Sequence, residues 1–159
     1  MFFRIGLWGA EELGSVGSSA YVEGLGDEVI AYLNLDMAGS PNGSNLVYAE
    51  AGAADGSDAI TEAYEAWFAE RGLPTARADL GGASDHRPFT LAGIPTGGLF
   101  AGAGPTGSAA NPGALPDPDM QPPDACYHLA CDDLENVDLV RIATFADATL
   151  AVALELAGD

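Results

Sequence analysis

Three stretches of the chain are densely apolar: residues 2–8, residues 29–35 and residues 94–100. The second, Val29-Ile30-Ala31-Tyr32-Leu33-Asn34-Leu35, shows none of the polar alternation of a half-exposed strand, so it reads as a strand buried on both faces that spans about 28–36 and ends on Asp36. Residues 94–100 read the same way. Between these runs the period changes. Ile60, Tyr64, Trp67 and Phe68 recur at helical spacing within 57–71, and Gly72 and Pro74 stop that helix. A first helix is expected over 11–24, with Leu13, Val16 and Tyr21 turned inward, and a last amphipathic helix over 137–156. Short strands are expected at 45–49 and 75–80, and Ser84 is placed to N-cap a further helix. The Gly-, Pro-, Ala- and Asp-rich segment 101–124 is too long for a mere connection and suggests a functional surface loop. These elements predict an α/β fold, a mostly parallel or mixed sheet between helices. Because residues 1–8 already form a strand with no lead-in, N-terminal strands are expected to be missing, and the chain is expected to be a piece of something longer.

Composition narrows the function classes. The 159 residues make one domain by length, with 48% hydrophobic residues and a formal net charge of −19. Lysine is absent and the five arginines (Arg4, Arg71, Arg77, Arg87, Arg141) are scattered, so no basic patch exists to meet phosphates and nucleic acid is excluded as a partner. No apolar stretch approaches the about 20 residues that span a bilayer, so no membrane partner is expected. The acidity itself describes either a well-solvated surface or a field that attracts cationic substrates.

Chemistry concentrates where the first strand meets the first helix. Glu11 and Glu12 are adjacent there, at a position where backbones diverge and open α/β sheets leave a crevice. Two neighbouring acids in such a place can divide labour, one holding a metal and the other moving protons. Asp36 and His128 follow or lie beside elements expected to end at the same sheet edge, and carboxylates with an imidazole suit zinc. Asp36 can equally be a turn former, and His128 an ordinary loop histidine. Cys126 and Cys131 read either as a short-loop disulfide in an exported protein or as part of a Cys/His metal site. The small number of Cys and His favours the disulfide.

Several motifs together resemble a known family. Trp8-Gly9-Ala10-Glu11-Glu12-Leu13-Gly14, followed by Gly17-Ser18, is similar to the signature of the dizinc aminopeptidases of peptidase family M28, especially the small secreted bacterial leucine-type enzymes. The resemblance continues in residues 32–40, in Ser84-Asp85-His86-Arg87-Pro88-Phe89, in residues 93–100 and in Cys126-Tyr127-His128-Leu129-Ala130-Cys131-Asp132. These motifs keep the family's order and cover almost the whole chain.

The resemblance implies a role for each matching position. Glu11 would be the general base that takes a proton from the attacking water, Glu12 and His128 would hold one zinc, and Asp36 would hold the other. Tyr127 would hydrogen-bond the developing oxyanion. Phe100, with Gly97 and Gly98, would wall an apolar pocket for the substrate's first side chain, and the Cys126–Cys131 disulfide would pin the Tyr127–His128 loop. His86 is given no metal. The implied substrates are peptides with a free N-terminus, the implied location is extracellular, and calcium is a possible additional ion. A glutaminyl-cyclase-like zinc acyltransferase and a non-catalytic binding remnant are the alternatives. Ala83 stands where the leucine-type enzymes carry an arginine. The family's upstream His-x-Asp motif and bridging Asp have no counterpart, so residues 1–159 are expected to form a partial catalytic domain, inactive or impaired alone.

Overall fold

The computed structural model describes residues 2–26, 29–104 and 121–158. Four strands form one mixed sheet in the order β1-β4-β2-β3, with β1 Tyr32–Asp36, β2 Leu46–Tyr48, β3 Ala76–Ala78 and β4 Thr96–Phe100. β4 pairs in parallel with β1 and antiparallel with β2, while β2 and β3 are parallel. The register sets Asp36 opposite Phe100, so both strands deliver their C-terminal residues to one edge. All five β4 residues are buried, as its unbroken small and apolar sequence demands.

Helices α1 Val16–Glu23, α2 Ser57–Glu70, α3 Arg87–Leu91 and α4 Leu139–Leu156 accompany the sheet. On one side, Ile60, Tyr64 and Phe68 of α2 and Phe145, Ala148 and Val152 of α4 close over Val47 and Leu99 as one buried cluster. Each large side chain there contributes roughly 1.5–3 kcal/mol by leaving water. The Tyr64 hydroxyl, the polar end of that cluster, finds Thr149 Oγ1 at 3.0 Å. On the other side, Tyr32 stacks on Phe89 of α3 at 3.8 Å between ring centroids, and Trp8 and Tyr21 complete an aromatic group. Asp138 caps α4, its carboxylate accepting from the N–H groups of Val140 and Arg141 at 3.0 Å, an arrangement typically worth about 1 kcal/mol.

Several expectations are corrected. Residues 2–8 form no strand. Phe2 and Leu7 are 96% and 94% exposed, and only Trp8 is packed, because a strand exists only where a neighbour takes up its backbone groups. The expected first helix is split into a 3-10 turn, Glu11–Leu13, and α1, since Gly14 and Ser15 both take left-handed backbone angles. Leu13 and Val16 consequently face solvent rather than the interior. Strand β1 begins only at Tyr32, and Glu28 of the expected 28–36 strand lies outside the described residues. Ser84 does not cap α3. His86 occupies the N-cap position without a side-chain bond, and Ser84 is turned to β1 instead. Most of the loop expected at 101–124, residues 105–120, lies outside the described residues. No helix among the described residues is long and apolar enough to cross a membrane.

Candidate active site

The turn that carries Glu11 and Glu12 is held by its backbone. Ala10, with φ of 58°, turns the chain into the 3-10 segment, and Ser15, with φ of 54°, turns it out again. The chain then folds back on itself, with Val16 N–H donating to Ala10 O at 3.2 Å and Gly17 N–H to Gly9 O at 3.1 Å. Gly17 must be glycine here: a Cβ would stand 2.7 Å from Gly9 O. The non-glycine residues with positive φ among the described residues are Ala10, Ser15, Met37 and His128. Each lies within three residues of an expected site residue or is one itself. A left-handed non-glycine residue costs on the order of 1 kcal/mol, and such strain collects at functional sites.

A cleft of about 940 Å³ opens at the sheet edge, with Glu11, Glu12, Asp36, Phe100 and Tyr127 in its walls. His128 Nε2 lies 2.5 Å from Glu12 Oε1, and the Tyr127 and His128 rings stack at 3.8 Å. The Cys126 and Cys131 sulfurs are bonded, closing the loop that presents both rings.

Crowding of like charges dominates the electrostatics. Burial pushes the Glu11 carboxyl above its usual range, and Asp36, Glu12 and Asp85 push it further while His128 opposes them. Burial also raises Asp36, and the nearby Ser84 hydroxyl and Met37 N–H oppose that rise. The Tyr127 phenol is raised by burial first and then by the nearby carboxylates.

A partly buried polar chain runs through β1, the strand that ends on Asp36. Trp8 Nε1 donates to the Tyr32 hydroxyl at 2.8 Å, and that hydroxyl donates to Asn34 Oδ1 at 2.7 Å. The Asn34 amide then donates to the Tyr48 hydroxyl and to Ser84 Oγ, both at 2.8 Å. Ser18 Oγ donates to Asp85 Oδ1 at 2.5 Å, which ties α1 to the Ser84–His86 turn. The sequence reading missed this chain. Its signal was Asn34, the one side-chain amide inside the apolar run 29–35.

Of the expected site residues, the structure gathers Glu11, Glu12, Asp36, Tyr127 and Phe100 around the cleft and brings His128 to Glu12. Gly97 and Gly98 are not in its walls. A Cβ on Gly97 would collide with Ile60 and one on Gly98 with the backbone carbonyl of Asn34, so these glycines let α2 and β1 approach β4 closely. His86 is 1% exposed, and its Nε2 lies 2.6 Å from Glu50 Oε1. That approach is not aligned for a hydrogen bond, so it stands as a close polar contact, and Nδ1 has no partner among the described residues.

Zinc suits the donors present. Carboxylate oxygens and an imidazole nitrogen are atoms zinc takes, and carboxylates that raise one another's pKa are relieved by a dication. The set is partial. Among the described residues no group of three or more His, Cys, Asp or Glu is gathered to hold a metal, and Glu12 with His128 is the pair that meets.

A family model described as Peptidase family M28 matches residues 3–153. Leupeptin-inactivating enzyme 1 of Streptomyces exfoliatus is 41% identical over 150 residues, covering 91% of this chain and 33% of the relative. A zinc aminopeptidase from Bacillus subtilis superposes with a TM-score of 0.69 at 27% identity over 93% of this chain and 34% of the other. A Porphyromonas gingivalis glutaminyl cyclase superposes with a TM-score of 0.59 at 19% identity, over 94% of this chain and 51% of the other, and shares the fold alone. The chain spans about a third of the length of the curated relatives it matches.

Proposed function

This chain belongs to Peptidase family M28, and from that premise we propose that it carries the base and part of the ligand set of a zinc aminopeptidase, which hydrolyses the N-terminal residue from peptides. The observation that carries the reading is the convergence of Glu11, Glu12, Asp36 and Tyr127 on one cleft, with His128 against Glu12. Glu12 and His128 would hold one zinc and Asp36 a second. Bound there, zinc supplies Lewis acidity that polarises a carbonyl and acidifies water.

The chain's own residues do the rest. Glu11, one position from a ligand, takes the proton of the attacking water and passes it to the leaving amine. The Tyr127 O–H donates to the carbonyl oxygen as negative charge develops on it. Phe100 offers an apolar wall to the first side chain, and the acidic lining receives the substrate's ammonium group. The disulfide suits an oxidising, extracellular location. Residues 1–159 form, in this reading, part of a catalytic domain. Three ligands shared between two ions leave each with fewer than the three protein ligands usual for catalytic zinc, so we expect the 159 residues alone to bind zinc weakly and to be impaired.

The test uses the protein that carries this chain, stripped with a chelator and reloaded with zinc. Hydrolysis of a leucine anilide should disappear and return. Cyclisation of N-terminal glutamine without anilide hydrolysis would replace this reading with the acyltransferase one, and zinc-independent inertness on both substrates would favour a binding remnant.

A further inference from the structure

Arg87 is the sole basic side chain among the described residues lining the cleft, whose charged lining is otherwise Glu11, Glu12, Glu23 and Asp36. It is exposed, and among the described residues it makes no ion pair. Its four fellow arginines all have partners: Arg4 donates to the Tyr21 hydroxyl, Arg71 faces Glu70, Arg77 grips Glu65 and Arg141 faces Asp138. Among the described residues Arg87 is the arginine with neither a carboxylate nor a hydroxyl partner, in a chain with 24 acidic residues and five basic ones.

Its stem is also placed. Gly82 has φ of 74°, and a Cβ there would stand 3.2 Å from Arg87 Cδ, so the side chain lies along the bare face of Gly82, which itself lines the cleft. Arg87 stands within ion-pair distance of none of the cleft's carboxylates among the described residues. The cleft therefore presents acids that suit an ammonium group and, separately, one guanidinium. A guanidinium is a planar fork of N–H donors that matches a carboxylate two bonds at a time.

We propose that Arg87 binds a carboxylate of the peptide substrate and so determines specificity, favouring either short peptides with a free C-terminus or peptides with an acidic side chain. The inference rests on the aminopeptidase reading. Arg87 acts in binding and has no part in the bond-breaking step.

The experiment compares kcat/KM within three substrate pairs for the wild-type, Arg87→Gln and Arg87→Lys forms of the protein that carries this chain, each loaded with zinc. Leucyl-glycine against leucyl-glycinamide reads the terminal carboxylate. Leucyl-glutamyl amide against leucyl-glutaminyl amide reads an acid on the leaving side, and a glutamyl against a leucyl anilide reads one on the first residue. In at least one pair the wild type should prefer the carboxylate. Arg87→Gln should reduce that preference roughly 3- to 10-fold, through KM, as expected for a solvent-exposed charged pair. Arg87→Lys should keep part of it. Anilide turnover with all three ratios unchanged by Arg87→Gln would overturn the role of Arg87 alone, whereas no turnover of any substrate would overturn the aminopeptidase reading beneath it.

Discussion

The imidazole of His128 and the carboxylate of Glu12 meet at 2.5 Å although 116 positions separate them in the chain. Both side chains are more than half exposed, so the contact by itself adds little stability. Its worth lies in bringing an oxygen and a nitrogen donor to one point. Glu12→Gln or His128→Ala should lower bound zinc per chain, read by elemental analysis after dialysis, while leaving the melting temperature of the metal-free protein nearly unchanged. Unaltered zinc stoichiometry in both variants would remove them from the ligand set.

The loop bearing Tyr127 and His128 is closed by the Cys126–Cys131 bond. Protein recovered from an oxidising compartment should show no titratable thiol under denaturing conditions before reductant and two after it. Reduction should weaken zinc binding by loosening the His128 loop. Two free thiols in the untreated exported protein would contradict this account.

Asn34 holds three neighbours at once, accepting from Tyr32 and donating to Tyr48 and Ser84. Asn34→Leu should strand the buried Tyr48 and Ser84 hydroxyls and cost about 1–3 kcal/mol for each one left unpaired. Urea unfolding measures the loss. A variant as stable as the wild type would show that water or rearranged partners satisfy the hydroxyls instead.

Burial raises Tyr32 to about 12, and raises Tyr48 and Tyr64 as well. An unfolded tyrosine titrates near pH 10, at roughly its model value. The folded state thus favours the neutral phenol, and this contribution to stability is complete below about pH 10 and is lost as pH rises toward 12. Phenolate absorbance should rise late and together with unfolding. Full ionisation of all five tyrosines by pH 10.5 to 11, roughly, with the fold intact, would contradict the buried placement.

Helix α2, strand β4 and helix α4 were legible because their apolar residues recur at the period of the element that buries them. Ile60, Tyr64 and Phe68 point inward as their spacing requires. Residues 2–8 misled because apolar content says only that a segment would gain from cover, and strand formation needs a neighbouring backbone. The first helix misled for a different reason: the left-handed turn at Gly14 and Ser15 interrupts a periodic pattern and reverses which face Leu13 and Val16 show. Of the candidate residues, Asp36 was visible as an acid closing a buried strand, and Glu11 and Glu12 as adjacent acids at a turn, although the strand expected before them does not form. The chain of Asn34 and Ser84 was not, since Ser84 competes equally well as a helix cap and only tertiary packing decides between cap and strut.

The measurement that bears most directly on this cleft is leucine anilide hydrolysis by Glu11→Gln in the protein that carries this chain, at zinc content matched to the wild type. Glu11 is proposed to move a proton rather than to hold a metal, so the variant should keep its zinc and its fold and lose about 10²- to 10⁴-fold in kcat. Turnover near the wild-type value with zinc in place would contradict the assignment of the base, and with it the account of the site.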